Sequence, residues 1–124
     1  MTVLRSLVSV VDDDESVRES LPDLLNELGF AAETFASAEA FLASDKIDAT
    51  GCLILDIAMP GMSGPELARE LAQRRKQIPV IFITAQGDGA MAAHLIGEGA
   101  VACLLKPFSE SALHEALHRA FGKH

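Results

Sequence analysis

The 124-residue sequence predicts a doubly wound α/β domain, and three observations carry that prediction. Short apolar runs recur along the chain: Leu7 to Val11, Ala31 to Phe35, Cys52 to Leu55, Val80 to Ile83 and Val101 to Leu105. Stretches with helical apolar spacing separate them, such as Val17, Leu21, Leu24, Leu25 and Leu28, and later Leu113, Leu117 and Phe121. Runs such as Leu53-Ile54-Leu55 and Val80-Ile81-Phe82-Ile83 are apolar at consecutive positions, as a strand buried on both faces must be. Strand and helix therefore alternate five times, giving a parallel sheet with helices on both sides.

The first run ends in Asp12-Asp13-Asp14-Glu15 and leads into a helix that carries Pro22, which removes a backbone donor and clashes one turn back, so a kink or a late helix start is expected. The second run, Ala31-Ala32-Glu33-Thr34-Phe35, is weak in β-branched residues and suits a sheet edge. After the third run, Ser63-Gly64-Pro65-Glu66 combines a capping serine, a first-turn proline and a glutamate three residues past the cap, so the third helix begins near Pro65. Gly87, Gly89, Gly97 and Gly99 bracket and interrupt a short fourth helix, which is expected to be the mobile, bistable element of the fold. The chain stops just after the fifth helix, so residues 1–124 are expected to form one domain with any output domain outside it.

Ten Lys and Arg against eighteen Asp and Glu give a formal charge of -8, which repels phosphate backbones and anionic membranes and argues against direct nucleic-acid binding. No apolar stretch approaches the roughly 20 residues of a membrane span, and the N-terminus lacks a signal-peptide block. Cys52 and Cys103 sit in separate apolar runs as free thiols, so the expected setting is reducing and cytoplasmic. If the fourth strand lies between theirs, two spacings of roughly 4.8 Å keep them from forming a disulfide.

In an open parallel sheet, ligands bind beyond the carboxyl ends of the strands. There the first strand delivers the acidic run, the third Asp56, the fourth Thr84 and the fifth Lys106-Pro107. A helix cap and its dipole account for one or two of the first three aspartates, but not for Asp56, which closes an apolar strand where burial is costly without a partner. Adjacent carboxylates repel unless a cation sits among them, and a hard divalent ion such as magnesium takes this oxygen set. The ammonium of Lys106 needs a polar destination, and the carboxylate cluster is the obvious one.

These residues carry a resemblance. Val10-Val11-Asp12-Asp13-Asp14, the segment from Leu53 through Asp56 and Pro60 to Gly64, Ile83-Thr84-Ala85, Gly99-Ala100 and Lys106-Pro107-Phe108 resemble the receiver domain of two-component response regulators over essentially the whole chain. Ser37-Ala38-Glu39-Ala40-Phe41-Leu42 and Thr84-Ala85-Gln86-Gly87-Asp88 are most similar to the FixJ-like branch, whose members commonly carry a DNA-binding output domain. The resemblance implies a flavodoxin-like fold with strand order 2-1-3-4-5, magnesium held by Asp12, Asp13, Asp56 and the Ala58 carbonyl, with Asp13 the more direct ligand, and phosphorylation of Asp56 by a histidine kinase or phosphotransfer protein. It further implies that Thr84 and Lys106 contact the phosphoryl group, that the Lys106–Pro107 peptide is cis, and that phosphate promotes a dimer through the fourth helix and fifth strand. Ala58 and Gln86 flank the phosphoryl position and are expected to tune its hydrolysis.

One departure concerns the switch. The family couples the threonine to an aromatic residue three positions before the lysine, and that position is Cys103, in a chain with no Tyr or Trp. Phosphoryl chemistry is then intact while its usual readout is in doubt. A redox role for Cys103 would need an exposed, electropositive setting. A magnesium-dependent aspartate phosphohydrolase would want a second acid two residues after its nucleophile, where Ala58 stands, and a receiver-shaped module that is never phosphorylated would not need the full residue set. His114 and His118 share a face of the last helix and read as solvated, and Arg74-Arg75-Lys76 suits the negative pole of the third helix.

Overall fold

The computed structural model describes residues 6–85 and 89–122. Five strands, β1 (Leu7–Val11), β2 (Ala31–Phe35), β3 (Thr50–Asp56), β4 (Val80–Thr84) and β5 (Ala102–Leu105), alternate with five helices. The helices are α1 (Glu15–Glu27), α2 (Ala38–Leu42), α3 (Gly64–Gln73), α4 (Gly89–Gly97) and α5 (Glu110–Phe121). All pairings are parallel and the sheet order is β2-β1-β3-β4-β5, so the strand weakest in β-branched residues does lie at an edge.

Successive side chains of a strand point to opposite faces, and this divides the core into two layers. On one face Val8, Val10, Cys52, Ile54, Ile81 and Ile83 pack against Leu21 and Leu25 of α1 and Leu113, Ala116 and Leu117 of α5. On the other, Val11, Leu53, Leu55 and Phe82 pack against Phe41 of α2, Leu67 and Leu71 of α3 and Leu95 of α4. Cys52 belongs to the first layer and Cys103 packs against the second, so the sheet itself separates the two free thiols.

Two strand boundaries differ from expectation, while α1 starts at Glu15 with Pro22 inside it, so of the two outcomes expected of the proline the late start does not occur. The Asp14 side chain caps the helix by accepting from Ser16 N, and buried Leu21 and Leu25 hold the flanks of the proline against the sheet. β3 begins two residues before its apolar run, because Thr50 is buried with its hydroxyl satisfied: Thr50 Oγ1 lies 2.7 Å from Ser9 Oγ and donates to Lys46 O at 2.7 Å. β5 begins at Ala102, although Val101 N still donates to Val80 O at 2.8 Å. α3 keeps the predicted start, with Ser63 and Glu66 forming a reciprocal capping box. Arg74 is its C-cap residue and pairs with Glu70, while Lys76 reaches Asp48, which accounts for most of that basic run.

Candidate functional site

β1 and β3 are neighbours in register at Val11 and Leu55, so the residues that follow, Asp12 and Asp56, emerge side by side at the carboxyl edge of the sheet. Asp12 is fully buried. Its backbone is fixed on both sides: Asp12 N donates to Phe35 O at 3.1 Å, and its carbonyl accepts from Arg18 Nη1 at 2.9 Å. Its carboxylate accepts from Asp14 N through Oδ1 at 2.9 Å. Oδ2 faces Lys106 Nζ at 2.9 Å in an ion pair, yet it has no hydrogen bond of good alignment. A buried, charged oxygen in that state is open to a further ligand.

Asp56 is also buried, and Lys106 Nζ stands 3.8 Å from its Oδ1, an ion pair beyond hydrogen-bond reach. Burial pushes the Asp56 carboxyl up to about 6, and the neighbouring Asp12 charge adds to this while Lys106 opposes it. For Lys106, burial acts against the charged form, but Asp12 and then Asp56 outweigh it and hold the ammonium above its ordinary value. The Lys106–Pro107 peptide is cis, as expected, and Lys106 N donates to Thr84 O at 2.7 Å, tying the end of β5 to the end of β4.

The third aspartate of the run has a different task. Asp14 is the α1 N-cap, and its hydrogen bonds from the Ser16 side chain and backbone hold its carboxyl below the ordinary value. That leaves Asp13, exposed at the mouth of the site. One oxygen from each of Asp12, Asp13 and Asp56 lies within 4.8 Å of the others. Three carboxylates facing one ammonium leave an excess of two negative charges when all are ionised, which matches a divalent cation. Asp12 Oδ2, which has Lys106 as an ion-pair partner and no aligned hydrogen bond, and the all-oxygen donor set fit the same kind of ion.

Around this cluster, Thr84 is half-buried at the end of β4 and Ala58 is exposed two residues after Asp56. Cys103 is half-buried beside Phe82 across the β4–β5 ladder, and burial raises its thiol, which removes the reactive setting a redox sensor needs. Gln86 lies outside the described residues. His114 and His118 are both exposed, and among the described residues Asp12, Asp13 and Asp56 form the one carboxylate, histidine or cysteine group able to hold a metal.

A family model for the response regulator receiver domain matches residues 8–118. The chain belongs to that family. It is 44% identical over 115 residues to the response regulator protein TodT of Pseudomonas putida, covering 93% of this chain and 51% of TodT. The transcriptional regulatory protein FixJ of Rhizobium meliloti is 45% identical over 113 residues, covering 91% of this chain and 55% of FixJ. Among solved structures, the crystal structure of FixJ-N is 43% identical with a TM-score of 0.82, covering 97% of this chain and 94% of that one. The receiver domain thus falls with the FixJ-like branch, and it spans about half the length of the curated relatives it matches.

Two residues that hold the receiver's loops were not singled out from sequence. Arg18 reads as one more charged residue on a helix, yet it reaches back to the Asp12 carbonyl. Glu39 reads as a favourable first-turn acid of α2, yet its Oε2 accepts from Met62 N at 3.0 Å in the loop after β3. Spacing from the N-cap could have suggested the first, since a first-turn arginine lies over the preceding loop. Nothing local could have suggested the second.

Proposed function

We propose that Asp56 accepts a phosphoryl group from a phosphohistidine on a partner kinase or phosphotransfer protein, and that the modified domain controls an output domain or partner, in transcription regulation. The single observation that carries this reading is the buried Asp56 carboxylate clustered with Asp12 and Asp13, with Lys106 Nζ 3.8 Å away, in a site with an excess of negative charge. A carboxylate oxygen of Asp56 attacks phosphorus in line; the new O–P bond forms as the P–N bond to the donor imidazole breaks, and the departing imidazole keeps its electron pair and takes up a proton from solvent. Lys106 neutralises charge on the transferred oxygens, and Thr84 offers a hydroxyl beside them. Asp12, Asp13, Asp56 and the Ala58 carbonyl would hold magnesium, which when bound supplies charge neutralisation at the phosphoryl oxygens and relieves repulsion among the acids. The domain thus catalyses its own modification and its own reset, with Ala58 and Gln86 tuning hydrolysis.

Phosphate adds about -1.5 to -2 charges and strong acceptor oxygens near Thr84 and Lys106, which favours the loop state that brings their donors closer. With Cys103 in the aromatic position, α4 carries the readout. It buries only Leu95, while Met91, Ile96 and, at the end of β5, Leu105 are exposed apolar groups that suit a phosphate-dependent dimer. A cytoplasmic setting agrees with the two free thiols and with the lack, among the described residues, of a helix long and apolar enough to cross a membrane.

The test is incubation with magnesium and acetyl phosphate or phosphoramidate. The expected result is a mass gain of one phosphoryl group that Asp56→Asn abolishes, with no turnover of unrelated phosphate esters. Steady ester turnover would favour the phosphohydrolase, and an unmodified wild-type protein would end the phosphoacceptor reading. An unchanged decay of the phosphoprotein in Ala58→Asn and Gln86→Ala would remove the reset role of those two positions.

A further inference from the structure

The segment 57–63 joins β3 to α3 and carries Ala58 past the acidic cluster. Its ends are fastened: Ile57 N donates to Ile83 O at 3.0 Å, and Gly64 N donates to Ile57 O at 3.2 Å. Near its far end two consecutive amides point at two different carboxylates. Ser63 N donates to Glu66 Oε1 at 2.9 Å, which is the capping box of α3 and local to that helix. Met62 N donates to Glu39 Oε2 at 3.0 Å, and Glu39 comes from the first turn of α2, on another element altogether.

The backbone makes room for this contact. Gly61 has φ +75, and a Cβ built there would lie 2.9 Å from Glu39 Oε2. The left-handed conformation favours glycine, and the missing Cβ leaves the Glu39 carboxylate room to approach. Ser37 in turn fixes the start of α2 by accepting from Ala40 N at 3.0 Å, so Glu39 projects from a capped helix end rather than from a loose loop. The loop is therefore held at Ile57, by the Met59 side chain buried in the core, and again at Met62, with exposed Ala58 between the first two.

We infer that Glu39 is a positioning residue for the cation site: its carboxylate straps the loop after β3 to α2 and keeps the Ala58 carbonyl in place beside Asp56. The inference rests on the proposed role of Ala58 as a backbone ligand. Without the strap, the loop beyond buried Met59 loses its fastening at Met62, and the cost of ordering it when the cation binds appears as weaker cation affinity. Asp56, Lys106 and Thr84 are untouched, so the maximal rate of phosphorylation should be preserved once the cation saturates.

The test compares wild type, Glu39→Ala and Glu39→Gln, measuring magnesium affinity by calorimetry and the magnesium dependence of phosphorylation by acetyl phosphate. Glu39→Ala is expected to raise both the magnesium dissociation constant and the half-saturating magnesium concentration about fivefold, the scale of one net hydrogen bond. Its rate at saturating magnesium should stay within about twofold of wild type, and Glu39→Gln, which keeps an acceptor for Met62 N, should restore wild-type affinity. Unchanged affinity in Glu39→Ala, or equal losses in the alanine and glutamine variants, would overturn the strap. Wild type that binds magnesium and loses it on Asp13→Asn, with Glu39→Ala unchanged, removes the strap alone; wild type that binds no magnesium removes the cation reading and the strap with it.

Discussion

Gly64 and Gly97 belong to helices packed on the same face of the sheet, and an added methyl group would meet opposite fates at the two positions. At Gly64 a Cβ would collide with the backbone oxygen of Asp56, whereas at Gly97 nothing stands within 4 Å. The same contrast holds for whole regions. α3 starts with a capping box and buries Gly64, Leu67 and Leu71 against the strand that carries Asp56. α4 buries Leu95 and leaves Met91 and Ile96 exposed. One end of the receiver is over-determined, the other lightly held, and local opening free energies should differ accordingly. Chemistry needs fixed distances, whereas a readout needs two states close in energy. α3 is capped and buries three residues, whereas α4 buries one, and substitutions in the two regions probe that difference.

The sharpest way to break this contrast is to remove the cation that the tight end already has. Lys106→Ala leaves Asp12 fully buried without its counter-ion, and losing one member of a buried pair is expected to cost roughly 3 kcal/mol in denaturant unfolding. Gly64→Ala should follow at about 2 kcal/mol, since the atom it meets is backbone and cannot swing aside. If either variant unfolds with the wild-type midpoint, the site end is not the rigid part of the molecule.

Asp56 sharpens the comparison through pH. Its carboxyl is raised from 3.8 to about 6 by burial first and the Asp12 charge second, so folding favours the protonated form. The stability this contributes is present below the ordinary carboxylate pKa and is lost as pH rises through about 6. Each tenfold change in proton affinity is worth about 1.4 kcal/mol, and solvent at the mouth of the site screens part of it. Asp56→Asn should therefore stabilise the magnesium-free protein by about 2 kcal/mol near pH 7.5 and change it little near pH 4. Added magnesium should raise the melting temperature of wild type and not that of Asp56→Asn. A variant that gains nothing at neutral pH would mean that Asp56 is not held in a charge-averse pocket.

How far these features were legible depended on whether the signal was local. The alternation of apolar runs predicts the sheet, and the polar residues closing every strand but the second point to the cluster, because strand ends and site coincide in a parallel sheet. Within Asp12-Asp13-Asp14 the resemblance singles out the first two for the cation, while the capping role of Asp14 rests on its bond from Ser16 N in the structure. Thr50 was left outside its strand because its burial depends on Ser9, distant in sequence. Glu39 was passed over for the same reason, its partner Met62 being on another element. For Pro22 the local rule allows a kink or a late start, and the late start is avoided because buried Leu21 and Leu25 hold the helix on either side of it.

The smallest expected effect falls on α4, and it discriminates most finely. Gly97→Ala meets no neighbour and should stabilise the helix by about 0.5–1 kcal/mol, the ordinary difference between the two residues in a helix. Amide exchange in α4 should slow by roughly threefold, as that free energy requires, while α5, anchored by Leu113, Ala116 and Leu117, stays as it was. Phosphorylation at Asp56 should proceed at the wild-type rate, because none of its contacts has changed. If α4 is the bistable element, the same substitution must also oppose the phosphate-driven change, so exchange in α4 should respond less to phosphorylation than in wild type. Exchange in wild-type α4 as slow as in α5, with and without phosphate, would assign the readout to another element.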